Sequence, residues 1–150
     1  MLRLQLDLVL ACAGDGVPAR KHWVRWGRAA LADAGGTVAL GVRIVGESEG
    51  AWLNERFRGR AGPTNVLSFP YDEPPRGKSR FLGDIVLCAP VVRNEAAAAG
   101  RPEDAHWAHL LIHGILHLEG FDHDTDQDAR LMETRETRIL AGLGFPDPYR

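Results

Sequence analysis

The feature that most constrains this chain is the run His113-Gly-Ile-Leu-His117-Leu-Glu-Gly120-Phe-Asp-His123. His113 and His117 are spaced i, i+4, which on a helix sets their side chains on one face with Cβ atoms roughly 5–6 Å apart. The intervening and flanking residues Leu111, Ile112, Ile115 and Leu118 are apolar, so the helix must be buried through its other sides. Gly120 suits the turn that ends such a helix, and the chain can then reverse and bring His123 back toward the first two rings. His106 and His109 precede them on the same face, all four histidines falling within an arc of about 80° at ~100° per residue.

Three neutral imidazoles converging on one point are a ligand set for a borderline metal. Zinc binds histidine nitrogen at about 2.0–2.1 Å, and three histidines leave a fourth position open, the arrangement of a catalytic rather than a structural site. His113, His117 and His123 are therefore the expected metal ligands, with one zinc per chain. His106 and His109 are expected to support the site or face solvent rather than ligate. Asp122 either orients a ligand or serves the turn before His123. The spacing H-x3-H-x2-G-x2-H is also that of the metzincin zinc proteases. In those enzymes a glutamate after the first histidine is the general base, and here that position is Gly114. Peptide hydrolysis therefore ranks below a reaction in which the metal polarises the substrate or supplies hydroxide. Phosphate esters suit such a site, because their transition states gather negative charge that a metal and an arginine stabilise together.

The arginines are unevenly placed. Net charge is −2, which excludes a globally basic nucleic-acid coat, yet the basic residues are in excess over residues 1–101 and the acidic ones over residues 102–150. Arg56, Arg58 and Arg60 alternate within five residues, and Arg76, Lys78 and Arg80 form a second group. Arginine grips phosphate through a rigid bidentate fork. If residues 56–60 are locally extended, the three arginines share a face as a basic edge, with Trp52 and Phe57 turned into the core. A chain of 150 residues has the size of one domain. Its 45 % hydrophobic and 25 % charged residues exclude a disordered chain. Cys12 and Cys88 form no CxxC pair, which argues against a cysteine zinc finger and a disulfide scaffold.

Leu2, Leu4, Leu6, Leu8 and Leu10 alternate with other residues, the pattern of a half-buried strand and not of a membrane span or signal core. A cytoplasmic protein with no membrane association is expected. Further strands are expected over residues 37–45, 64–69 and 81–89. Helices are expected over residues 18–34, 47–57, 90–99, 102–119 and 125–142, and a polar, proline-bearing loop over residues 71–80. This pattern predicts a single-domain α+β fold, an about four-stranded mixed sheet packed with about five helices, carrying a metzincin-like three-histidine metal site.

Three stretches, LNERFRGRAGPTNVLSFP, GDIVLCAPVV and HGILHLEGFDH, resemble the successive motifs of the YbeY endoribonucleases, bacterial ribosomal-RNA maturation factors. The resemblance is strong over residues 53–123. It implies a cytoplasmic zinc protein ligated at His113, His117 and His123. It also implies a single-strand-specific endoribonuclease that matures the 3′ end of small-subunit ribosomal RNA and serves ribosome quality control. The family's essential arginine falls on Arg58, with Arg56 and Arg60 as candidate substrate-binding neighbours. Implied partners are single-stranded and ribosomal RNA, the small ribosomal subunit and an Era-type GTPase. Two other readings stand beside it: a metzincin-like metallopeptidase or hydrolase, and a non-catalytic zinc-containing ribosome-assembly factor.

Overall fold

The computed structural model describes residues 1–72 and 74–150. Glu73, inside the loop expected over residues 71–80, lies outside the described residues. The elements run β1 (Leu2–Leu10), α1 (Arg20–Ala30), β2 (Gly36–Val45), α2 (Glu47–Arg58), β3 (Val66–Pro70), β4 (Ser79–Cys88), α3 (Ala89–Ala99), α4 (Glu103–Leu118) and α5 (Asp126–Gly142). Among the described residues the strands form one mixed sheet in the order β1-β2-β4-β3. β1, β2 and β4 are parallel, and β3 pairs antiparallel with β4 at one edge. The expected α+β architecture is the one observed.

Alternation along the strands sorts the core onto two faces. Val38, Leu40, Val42 and Ile44 of β2, with Ile85 and Leu87 of β4, join the large cluster beneath α1, α4 and α5. Val45, Val86 and Cys88 point the other way and pack with Leu67, and Leu53 of α2 lies against them. Trp23, Trp26 and Trp107 are buried together in the large cluster, their rings edge to face at 5.2 and 5.6 Å. Aromatic pairs in this geometry add stability beyond the area they bury.

Two departures from expectation have physical causes. β3 includes Pro70, one residue beyond the strand expected over residues 64–69. A proline lacks the N–H of a ladder bond, and an edge strand tolerates that loss. The helix expected over residues 47–57 forms and continues through Arg58, so the condition for an extended stretch over residues 56–60 is not met. The supposed basic edge therefore does not form, and Trp52 and Phe57, expected in the core, are each 57 % exposed.

One irregularity positions the site. The register between β2 and β4 shifts at Ala39/Leu40, a bulge that includes Gly83 at φ +150°. A β-carbon at Gly83 would collide with the Phe69 carbonyl oxygen and lie 2.9 Å from Leu118 Cδ2. Glycine here lets the last residue of α4 settle against the sheet beside β3.

Candidate metal and phosphate cleft

Helix α4 carries acidic Glu103 and Asp104 in its first turn, where they complement the helix dipole. Leu111, Ile112, Ile115 and Leu116 are fully buried, and His113 and His117 emerge on the remaining face. Gly120, at φ +101°, reverses the chain after the helix, and the Phe121 amide bonds back to the Leu116 carbonyl at 3.0 Å. Asp122 Oδ1 accepts the amides of His123 at 2.5 Å and Asp124 at 3.0 Å. Its carboxylate therefore shapes the turn. The rings of His113, His117 and His123 lie 6.3, 5.9 and 5.9 Å apart and nearly parallel.

A cleft of about 510 Å³ joins these rings to the arginine segment. One wall carries His113, His117 and His123. The other is the edge strand and the chain leading into it, Thr64 to Phe69, with Arg58 and Arg60 at the end of α2. Gly59 makes this possible: it caps α2 in the left-handed region at φ +67°, so the helix stops after Arg58 and the chain turns. Asn54, 4 % exposed, pins the turn by donating to the Gly62 carbonyl at 2.8 Å. Arg56 does not line the cleft. Its guanidinium stacks over the Trp52 ring at 5.8 Å. Of the second basic group, Arg80 pairs with Glu119 at 3.5 Å.

The chemistry of the donor set, three imidazoles, suits a borderline metal ion. The His117 Nδ1–H donates to the Phe121 carbonyl at 3.0 Å. His113 Nδ1 lies 2.6 Å from Glu136 Oε1. Burial pushes the Glu136 carboxyl up, but hydrogen bonds from His109, His113 and Tyr149 outweigh it and hold its pKa at about 2. An ionised carboxylate and a carbonyl only accept, so both rings carry a proton on Nδ1, which leaves Nε2 as the nitrogen that can face a metal. This orientation of metal-binding histidines by an outer acceptor is usual. Asp122, His123 and Asp124 also place ligand atoms within 4.8 Å of one another at the exposed turn, a group able to hold a metal ion.

His106 and His109 do not face the cleft centre. His106 Nε2 meets Glu95 Oε1 at 2.9 Å, and Asn65 of the cleft donates to the same oxygen at 3.0 Å. His109 Nε2 meets Glu136 Oε2 at 3.2 Å. Sequence reasoning missed Glu136. Its signal was a carboxylate in a buried helical stripe, Met132, Glu136 and Leu140, where a side chain of that kind demands partners.

Gly114 does not open toward the histidines. A β-carbon there would lie 3.1 Å from Ile85 Cδ1 and 3.2 Å from Ser68 Oγ, so this side of α4 packs on the sheet. Ser68 Oγ donates to the Gly114 carbonyl at 3.4 Å. Substituting Gly114→Glu is expected to destabilise the protein by about 3 kcal/mol or more, through overpacking and a buried charge. It should create no peptidase. Urea unfolding and a peptide-library assay check the two halves of this prediction.

Residues 20–144 match the family model described as Endoribonuclease YbeY. A protein of Alkalilimnicola ehrlichii named Endoribonuclease YbeY is 51 % identical, the match covering 99 % of this chain and 92 % of that protein. A Methylococcus capsulatus protein of the same name is 48 % identical, covering 97 % of this chain and 96 % of its own. A Thermotoga maritima protein solved in solution superposes with a TM-score of 0.63 at 28 % identity, over 93 % of this chain and 87 % of that one. A family match over most of the chain, with two full-length relatives near half identity, means that the chain belongs to the YbeY endoribonuclease family.

Proposed function

We propose that this chain is a single-domain, zinc-dependent endoribonuclease that cuts single-stranded ribosomal RNA in the cytoplasm, in 3′-end maturation of the small-subunit RNA and in ribosome quality control. The observation that carries this reading is the cleft in which Arg58 and Arg60 share walls with His113, His117 and His123. Family membership supports the ribonuclease class. Among the described residues no helix is long and apolar enough to cross a membrane, in keeping with an RNA-processing role. The family resemblance extends the proposal to the small ribosomal subunit and an Era-type GTPase as partners.

In this reading His113, His117 and His123 hold one zinc ion through nitrogen, and Arg58 grips the scissile phosphate as a bidentate fork. A zinc ion so bound supplies Lewis-acid charge to a phosphate oxygen or lowers the pKa of a water molecule. Arg60, on the same turn, takes a neighbouring phosphate. Arg56, outside the cleft, adds positive potential along the approach. Ser68, Asn65 and Thr64 present hydroxyl and amide groups along the edge-strand wall, suited to ribose and base edges. The packing of Gly114 on the sheet weighs against a peptidase, because the position of a metzincin base is filled by core.

The test is cleavage of a single-stranded ribosomal-RNA fragment by zinc-loaded protein, beside the same sequence as a duplex and beside a chelated sample. Cleavage confined to the single strand and lost on chelation is expected. Products ending in 2′,3′-cyclic phosphate indicate attack by the ribose hydroxyl, and linear phosphates indicate attack by water. Zinc and RNA both bound without cleavage would overturn the enzyme in favour of an assembly factor.

A further inference from the structure

Glu136 is fully buried and accepts from three donors on two segments. His113 Nδ1 meets its Oε1 at 2.6 Å. His109 Nε2 meets Oε2 at 3.2 Å, and the Tyr149 hydroxyl donates to that same oxygen. Tyr149 lies beyond α5, near the end of the chain. Its ring stands edge-on to His109 at 5.5 Å, and its amide donates to Asp147 Oδ1 at 2.8 Å. The Thr137 hydroxyl of α5 reaches that same carboxylate oxygen at 3.5 Å. The segment after α5 is thus fastened to the very carboxylate that fixes His113. A small cavity of about 210 Å³ behind the histidines is lined by His113, His123, Glu136 and Tyr149, among others.

We propose that Glu136 and Tyr149 are positioning residues of the metal centre. Glu136 holds His113 in the Nδ1–H form, and Tyr149 holds Glu136 in the rotation that presents Oε1 to His113. The inference rests on the reading of His113 as a metal ligand. A carboxylate can turn about its last bond and exchange its oxygens. Two donors on Oε2, from His109 and Tyr149, remove that freedom. They also satisfy lone pairs that a buried charge cannot leave empty. The sequence thereby links metal affinity to a residue far from the histidine motif, through the docking of the segment after α5.

The experiment uses the full chain and zinc alone. Zinc affinity is read by competition with a chromophoric chelator, and the His113 tautomer by ring-nitrogen NMR on metal-free protein. Glu136→Gln is expected to weaken zinc by about 10- to 100-fold, as outer partners of metal ligands do, and to lose the uniform Nδ1–H form. Tyr149→Phe keeps the ring against His109 and removes one hydroxyl from a half-exposed residue. It is expected to fold normally and weaken zinc by about two- to tenfold. Wild-type affinity and an unchanged His113 tautomer in folded Tyr149→Phe and Glu136→Gln would overturn the proposal. A wild-type protein that binds zinc but leaves RNA intact would overturn the nuclease alone. A wild-type protein that binds no zinc would overturn both.

Discussion

Substituting His117→Ala is expected to remove zinc and RNA cleavage together while leaving the fold intact. His117 sits on the last turn of α4 with its ring exposed, and the ring bonds to the Phe121 carbonyl. The ring is no part of the buried core, so the unfolding midpoint of metal-free protein should match that of the wild type. Two of the three imidazoles remain, and a site reduced to two nitrogens loses more than the roughly 10- to 100-fold that an outer partner costs. Metal content after gel filtration should fall from one zinc per chain to a trace, and cleavage of single-stranded RNA should fall with it. Full zinc occupancy in the variant would mean that the ion is held elsewhere. The exposed turn Asp122–Asp124 is then the place to look.

Arg58→Ala should give the opposite dissociation: zinc retained, turnover lost. Arg58 is the last residue of α2, exposed at the cleft, and the helix cap depends on Gly59 rather than on the arginine side chain. Removing a preorganised donor to transition-state charge costs about 10²–10³ in rate. Arg58→Lys should recover only part of that, since an ammonium keeps the charge but not the fork. If Arg58→Ala cleaves at the wild-type rate with zinc bound, Arg58 has no part in holding the phosphate. Arg60 is the next candidate on the same wall.

Much of the fold was legible because local pattern and tertiary packing agree. The leucine alternation of residues 2–10 matches β1 residue for residue, and the break at Gly100 and Pro102 separates α3 from α4 as expected. The histidine run was legible for the same reason: an i, i+4 pair and a glycine turn are local statements. Where the reading failed, two local patterns competed. The sequence reads Arg56 and Phe57 as the end of a helix and, conditionally, as part of an extended basic edge; the helix prevails, Gly59 closes it, and Trp52 and Phe57, expected in the core, are exposed. Glu136 was hidden for a different reason. It lies far along the chain from His113, and nothing local pairs a buried carboxylate with a particular imidazole. The Gly114 position misled only by omission. Its lack of a side chain is a demand of the sheet beneath it, visible once Ile85 and Ser68 are seen pressing from below.

The close contact of Ser68 with Gly114 has a consequence for the shape of the ligand. Each side of the cleft is anchored on an element of regular structure, α4 on one and the edge strand β3 on the other, and the two elements touch at this contact. The two backbones are therefore tied to each other directly beside the cleft. If the proposed nuclease prefers an unpaired strand, that preference is expected to depend on the packing of α4 on β3, which sets the distance between the histidine side and the edge-strand side, rather than on a side chain that reads the absence of a complementary strand.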